Sequence, residues 1–174
     1  MSEPIQPQQA TQSESAIDPL ILQAAMQRIR NEQNLVMAAV AGAAAALLGA
    51  CAWAAITVTT NFQIGWMAVG VGFLVGYAVN IFGKGIDKTF GIVGAVWSLA
   101  GCAAGNLLTV VGTIAKQQNI PIMNILEKLD VDIIATLMQA TFSPMDVLFY
   151  GIAIYEGYRF SFRQITQADL MKIG

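Results

Sequence analysis

Apolar residues in this chain fall into long runs divided by short polar breaks. Between Glu32 and Lys84 no residue carries a charge, and one polar break interrupts the run, at Thr59-Thr60-Asn61-Phe62-Gln63. A helix needs about 20 apolar residues to cross a bilayer, so this stretch predicts two crossings, at 35–58 and 64–82. Trp53 and Trp66 flank the break, where an aromatic belt would place them. Gly83-Lys84-Gly85-Ile86-Asp87-Lys88 reads as a tight charged turn, and a third charge-free run predicts a span at 89–115.

Two further stretches alternate on a helical period. In 17–33, Leu20, Ile21, Ala24, Ala25, Met26 and Ile29 recur near helical spacing after the cap-like Asp18-Pro19 pair. In 121–140, Ile122, Ile125, Leu126, Leu129, Ile133, Leu137 and Met138 follow the i, i+3, i+4 rule among charged neighbours. The first predicts a short amphipathic helix lying along the membrane surface or running straight into the first span, and the second an amphipathic helix with one wet face. Ser143-Pro144-Met145-Asp146 has the form of a capping box and opens a fourth span at 144–163. The polar segment 1–16 reads as a disordered tail and 164–174 as a second tail.

Composition confirms the solvent. The chain of 174 residues is 56% hydrophobic and 11% charged, against about 45–50% and about 25% in a soluble domain. The expected fold class is therefore all-α: a polytopic membrane protein with four transmembrane helices in 34–163 and two short amphipathic helices. The net charge of −2 excludes a strongly basic nucleic-acid binder. Seven of the nine basic residues (Arg28, Arg30, Lys84, Lys88, Arg159, Arg163 and Lys172) fall on one side of this threading. The positive-inside rule then puts both termini in the cytoplasm.

Candidate chemistry is sparse. There is no histidine, and Cys51 and Cys102 match no zinc or redox spacing. No catalytic residue, metal or cofactor is called for, and the expectation is a non-enzyme. Gly83-Lys84-Gly85 lacks the order of a phosphate-binding loop. Leu48-Gly49-Ala50-Cys51 looks like a lipoprotein cleavage signal, but the apolar run continues beyond it. Glu156 is the one acid expected at depth in a span, either as a functional intramembrane group or as half of an ion pair with Arg159, three residues on. Asn80 and Asn106 are the other polar candidates, as interhelical hydrogen-bond glue or as lining of an aqueous path. Gly72 with Gly76 and Gly101 with Gly105 form GxxxG patterns, which let helix backbones approach closely, within one chain or between copies.

The stretches QIGWMAVGVGFLVGYAVNIFGKGIDKTFGIVGA (63–95) and FSPMDVLFYGIAIYEGY (142–158) resemble an uncharacterised family of small bacterial four-span inner-membrane proteins. The resemblance implies a multi-pass protein of the bacterial inner membrane and brings no activity or ligand with it. The leading expectation is a structural or accessory subunit of a membrane complex. Two alternatives stand beside it. One is an oligomeric channel or small-solute transporter using Glu156, Asn80 and Asn106; the other is a lipid-binding or membrane-shaping protein. The expected partners are the lipid bilayer and a homo-oligomer or larger complex, with no nucleic acid.

Overall fold

A computed structural model describes residues 19–62 and 65–165. The expected tail at 1–16, the Asp18 cap, the start of the second span and most of the second tail, including Lys172, lie outside the described residues. Seven helices follow in order: α1 (Pro19–Asn31), α2 (Leu35–Thr60), α3 (Trp66–Gly83), α4 (Lys88–Gln118), α5 (Ile122–Leu126), α6 (Val131–Thr141) and α7 (Pro144–Phe160). There is no strand among the described residues.

Local sequence explains where the long helices stop. The Asn34 side chain accepts from the Met37 amide at 2.9 Å and starts α2. Asn61, Lys84 and Asn119 close α2, α3 and α4 in the left-handed conformation, with φ of 54°, 50° and 52°. Asparagine tolerates that region well. The Lys116 ammonium donates to the Val58 carbonyl at 2.7 Å and to Asn61 at 3.3 Å, which places a cation at the negative end of α2.

Helices α2, α3 and α4 are each long and apolar enough to cross a membrane. The fourth expected span differs from 144–163. Helix α7 has 17 residues and reaches the length of a crossing only together with α6, from which it is bent by 105°. The capping box forms as the sequence suggests: Ser143 accepts from Met145, and Asp146 accepts from the Ser143 amide at 2.8 Å. That box stops α6 and starts α7 in a new direction. The expected single amphipathic helix at 121–140 is likewise two helices. The chain breaks between them because the Asp130 carboxylate takes the Ile133 amide at 2.7 Å and begins α6 afresh.

Helix α4 is the centre of the bundle and packs on α2, α3 and α7, while α3 packs on α2 and α7. The pairs differ in length. Cys102 of α4 lies beside the Ala68 carbonyl in the first turn of α3, yet α4 continues to Gln118, about 24 Å further at 1.5 Å per residue. Helices α2 and α4 therefore overshoot α3 and α7 at one end, and α6 lies against α4 there.

The opposite end is tied together. Gln33 accepts from the Ile86 and Asp87 amides at 3.1 and 3.3 Å and donates to the Asp87 carboxylate at 3.0 Å. Arg30 pairs with Asp87, and Arg163 with Glu32 at 3.0 Å. The Arg163 amide also donates to the Gly85 carbonyl. Three segments distant in sequence thus meet at one end, which carries Arg28, Arg30, Lys84, Lys88 and Arg163. Lys116 and Lys128 belong to the other end of the chain's path.

The Arg163 hydrogen bond holds the Glu32 carboxyl below the usual carboxylate range. A group whose pKa is lowered on folding stabilises above its unfolded pKa and loses that contribution as pH falls through the lowered value. The thermal midpoint in detergent is therefore expected to stay level from neutrality to about pH 5 and to fall below about pH 4. Arg163→Ala is expected to flatten that acid-side fall by a small amount, as befits an exposed pair. The same slope in both proteins would deny the pair any role.

Trp53 and Trp66 are not equivalent. Trp66 is exposed and leans on Phe149, with ring centroids 6.0 Å apart. Trp53 is 2% exposed and sits inside the bundle, not in a belt. It faces α4, where Gly105 leaves room for the indole. Cys51 lies within α2, which continues to Thr60.

Candidate functional site

The polar residues singled out from the sequence occupy three separate places. Asn80, in the last turn of α3, donates to the Phe160 carbonyl at 3.0 Å and to the Phe162 carbonyl. It satisfies carbonyls left open where α7 ends, and so fastens α7 to α3 near the basic end.

Glu156 lies one turn before the end of α7, beside Gly76 of α3, whose Cβ position would be 3.1 Å from the Glu156 carbonyl. Gly76 is seven residues from the end of α3, so the acid sits about 10 Å inside the bundle's basic end. Its side chain is half-buried and makes no hydrogen bond or ion pair among the described residues. The Glu156–Arg159 pair does not form. Arg159 is exposed, and its guanidinium lies 5.9 Å from the centre of the Tyr155 ring. The i−4 neighbour holds it there.

The glycine pairs serve different contacts. A Cβ at Gly72 would lie 2.5 Å from the Ala153 carbonyl oxygen, so Gly72 brings α3 onto α7. Gly101 faces Val71 and the Ala46 backbone, and Gly105 faces Trp53 and Ala50. All four thus meet neighbours in the same chain. A tighter contact, not singled out from the sequence, joins α4 to α7. Gly94 and Ser98 meet Gly157 and Ser161 there, each pair four residues apart.

Asn106 opens onto a cleft at the overshooting end. Its side chain is 2% exposed, and neither its amide nitrogen nor its oxygen has a hydrogen-bond partner. Nearby, the Tyr150 hydroxyl donates to the Cys102 carbonyl at 3.1 Å. The Asn106 amide reaches towards that hydroxyl without completing a hydrogen bond of good geometry. The cleft has a volume of about 430 Å³ and is walled by Thr57 and Asn61 of α2, by α4, and by Thr141 of α6. From α4 come Asn106, Thr109, Thr113 and Gln117, at spacings of three, four and four residues. Buried Thr57 also has no partner for its hydroxyl. This stripe was the signal available in the sequence: polar residues on one face of an otherwise apolar helix.

Asn106 stands eighteen residues from Lys88, about 27 Å along α4. A hydrocarbon core is about 30 Å thick. With the basic end at one boundary, that length would bring Asn106 near the other boundary and Thr109 to Gln117 to headgroup level. No group of histidine, cysteine or acidic side chains suited to a metal ion occurs among the described residues. Compared with family models, curated proteins and solved structures, the chain matches none.

Proposed function

We propose that this protein is a non-enzymatic accessory or assembly subunit of a larger membrane complex. In this reading the α6–α7 pair is the fourth passage, and both termini lie on the cytoplasmic side of a bacterial inner membrane. The charge asymmetry between the ends supports that threading. The observation that carries the function is Glu156. Ionisable groups at depth are costly and normally find a partner. Here Arg159 lies against Tyr155, and Glu156, whose backbone abuts Gly76 of α3, keeps its acceptors open. A donor from a neighbouring transmembrane segment would complete it.

The seam is apolar and aromatic around the acid. Phe73 stacks against Tyr77 and packs on Phe160 at 4.8 Å, and both Phe73 and Tyr77 are largely exposed. A photo-crosslinking residue at Tyr77 is expected to give one discrete protein adduct in native membranes. The same residue at Leu47, on α2, is expected to give lipid adducts alone. Glu156→Leu should weaken the Tyr77 adduct severalfold. Lipid adducts alone from both positions would overturn the assignment.

A further inference from the structure

We propose that the cleft over Asn106 is a binding site for a neutral polyhydroxyl group, held at the headgroup level of the membrane. The Asn106 amide supplies the first argument. A donor and an acceptor stand side by side on one buried group that lines the cleft, and neither has a hydrogen-bond partner of good geometry. Leaving such a group unsatisfied is costly, and hydroxyl groups, which donate and accept, satisfy both atoms together.

The hydroxyls around it narrow the chemistry. Thr109 donates its proton to the Gly105 carbonyl and Thr113 to the Thr109 carbonyl, both at 2.8 Å, and Thr141 donates to the Leu137 carbonyl at 2.7 Å. Their oxygens therefore offer lone pairs to the cleft. Together with the Asn106 oxygen they form an acceptor-rich wall that wants several O–H donors. A phosphate or carboxylate, richer in acceptors than in donors, would set most of its oxygens against these lone pairs. A cation would meet the Lys116 ammonium, which stands at the mouth on Val58 and Asn61. No lining residue is charged, and the Lys116 ammonium at the mouth is already engaged by Val58 and Asn61.

Position and size agree. The volume lies within the range of about 300–1,000 Å³ usual for small-molecule sites, which suits a sugar ring. The mouth is at headgroup height, so the hydroxyls could belong to a glycolipid head or to a free sugar. Either source presents the same chemistry to Asn106.

The test uses the full chain in phosphatidylcholine nanodiscs, with free glucose or with a monoglucosyl diacylglycerol in the bilayer. Binding is read by native mass spectrometry and by the shift of the thermal midpoint. At least one sugar probe is expected to bind and to raise the midpoint. Response to the glycolipid alone identifies a lipid head, and response to glucose alone identifies a free solute. Asn106→Leu removes both amide atoms at similar volume and should weaken binding by about tenfold or more, as two lost hydrogen bonds imply. Thr113→Val, near the mouth and away from the floor, should weaken it severalfold, and it keeps the test valid if the first variant folds poorly. The proposal is overturned if neither sugar binds. It is also overturned if inorganic phosphate binds as well as the sugars, or if neither substitution alters binding.

Discussion

Gly157→Leu is expected to detach α7 from the bundle. A Cβ at Gly157 would stand 2.8 Å from the Gly94 carbonyl oxygen and 2.9 Å from the Ser98 Cβ, and closer still to the Ser98 hydroxyl. Two of these neighbours cannot swing aside, because one is backbone and the other is fixed to it. The helices must separate, and in lipid no hydrophobic force between them compensates for the lost packing. Overpacking in a well-filled core costs about 1–3 kcal/mol; a leucine wedged between two backbones should reach or exceed the top of that range. Cys102 is the reporter. It is fully buried, with its thiol on the Ala68 carbonyl of α3 and its own carbonyl accepting from Tyr150 of α7, so lifting α7 opens one side of its cover. In a Cys51→Ser background, detergent-solubilised Gly157→Leu is expected to react with N-ethylmaleimide at least tenfold faster than its parent, a change equal to about 1.4 kcal/mol in opening free energy. Gly151→Ala is the control on the same helix, since a Cβ there meets nothing within 4 Å. Equal Cys102 reactivity in Gly157→Leu and its parent would refute the α4–α7 contact.

The sequence conveyed the membrane class and three of the crossings because hydropathy depends on runs of residues and tolerates ignorance of which way each one faces. Orientation within a run was harder to read. In α2 nearly every residue is apolar or small, so period alone marks no inward face. The inward face is set by where glycines on neighbouring helices leave space, and hence Trp53 lies inside while Trp66 lies outside. The opening of α7 was legible in Ser143-Pro144-Met145-Asp146. The 105° bend was not, because a capping box fixes where a helix starts and not the angle at which it leaves its predecessor. The i, i+3 spacing of Glu156 and Arg159 permitted an ion pair, but Tyr155 offered the arginine an aromatic face on the other side.

The same distinction applies to the cleft. Its wall was visible as Asn106, Thr109, Thr113 and Gln117 on one stripe of α4. Its character depended on the overshoot of α2 and α4 beyond α3 and α7, which puts that stripe past the ends of its neighbours. In the sequence Asn80 and Asn106 are equivalent polar residues, yet Asn80 lies at the opposite end with its donors committed to α7. One asparagine fastens a helix; the other lines the cleft with its amide unpartnered.

Trp53→Ala is expected to be the most destabilising single truncation in the bundle. The indole is the largest fully buried side chain, and it fills the space between α2 and α4 opposite Gly105, whose Cβ position would lie 2.9 Å from the ring. Truncating a buried tryptophan to alanine typically costs about 3–5 kcal/mol. Gly105 has no side chain with which to refill the void. The indole N–H complicates the comparison usefully, because it has no hydrogen-bond partner. A buried donor left unpaired costs about 1–3 kcal/mol. Trp53→Phe removes that donor while keeping most of the ring, so the two changes offset and its cost should fall below about 1.5 kcal/mol, as in shape-conserving core swaps. Reversible unfolding in detergent should therefore rank Trp53 and Trp53→Phe close together and Trp53→Ala far below. If Trp53→Phe is as damaging as Trp53→Ala, the N–H must be engaged and the indole must do more than fill space. If both variants match the parent, the indole does not fill the α2–α4 interface.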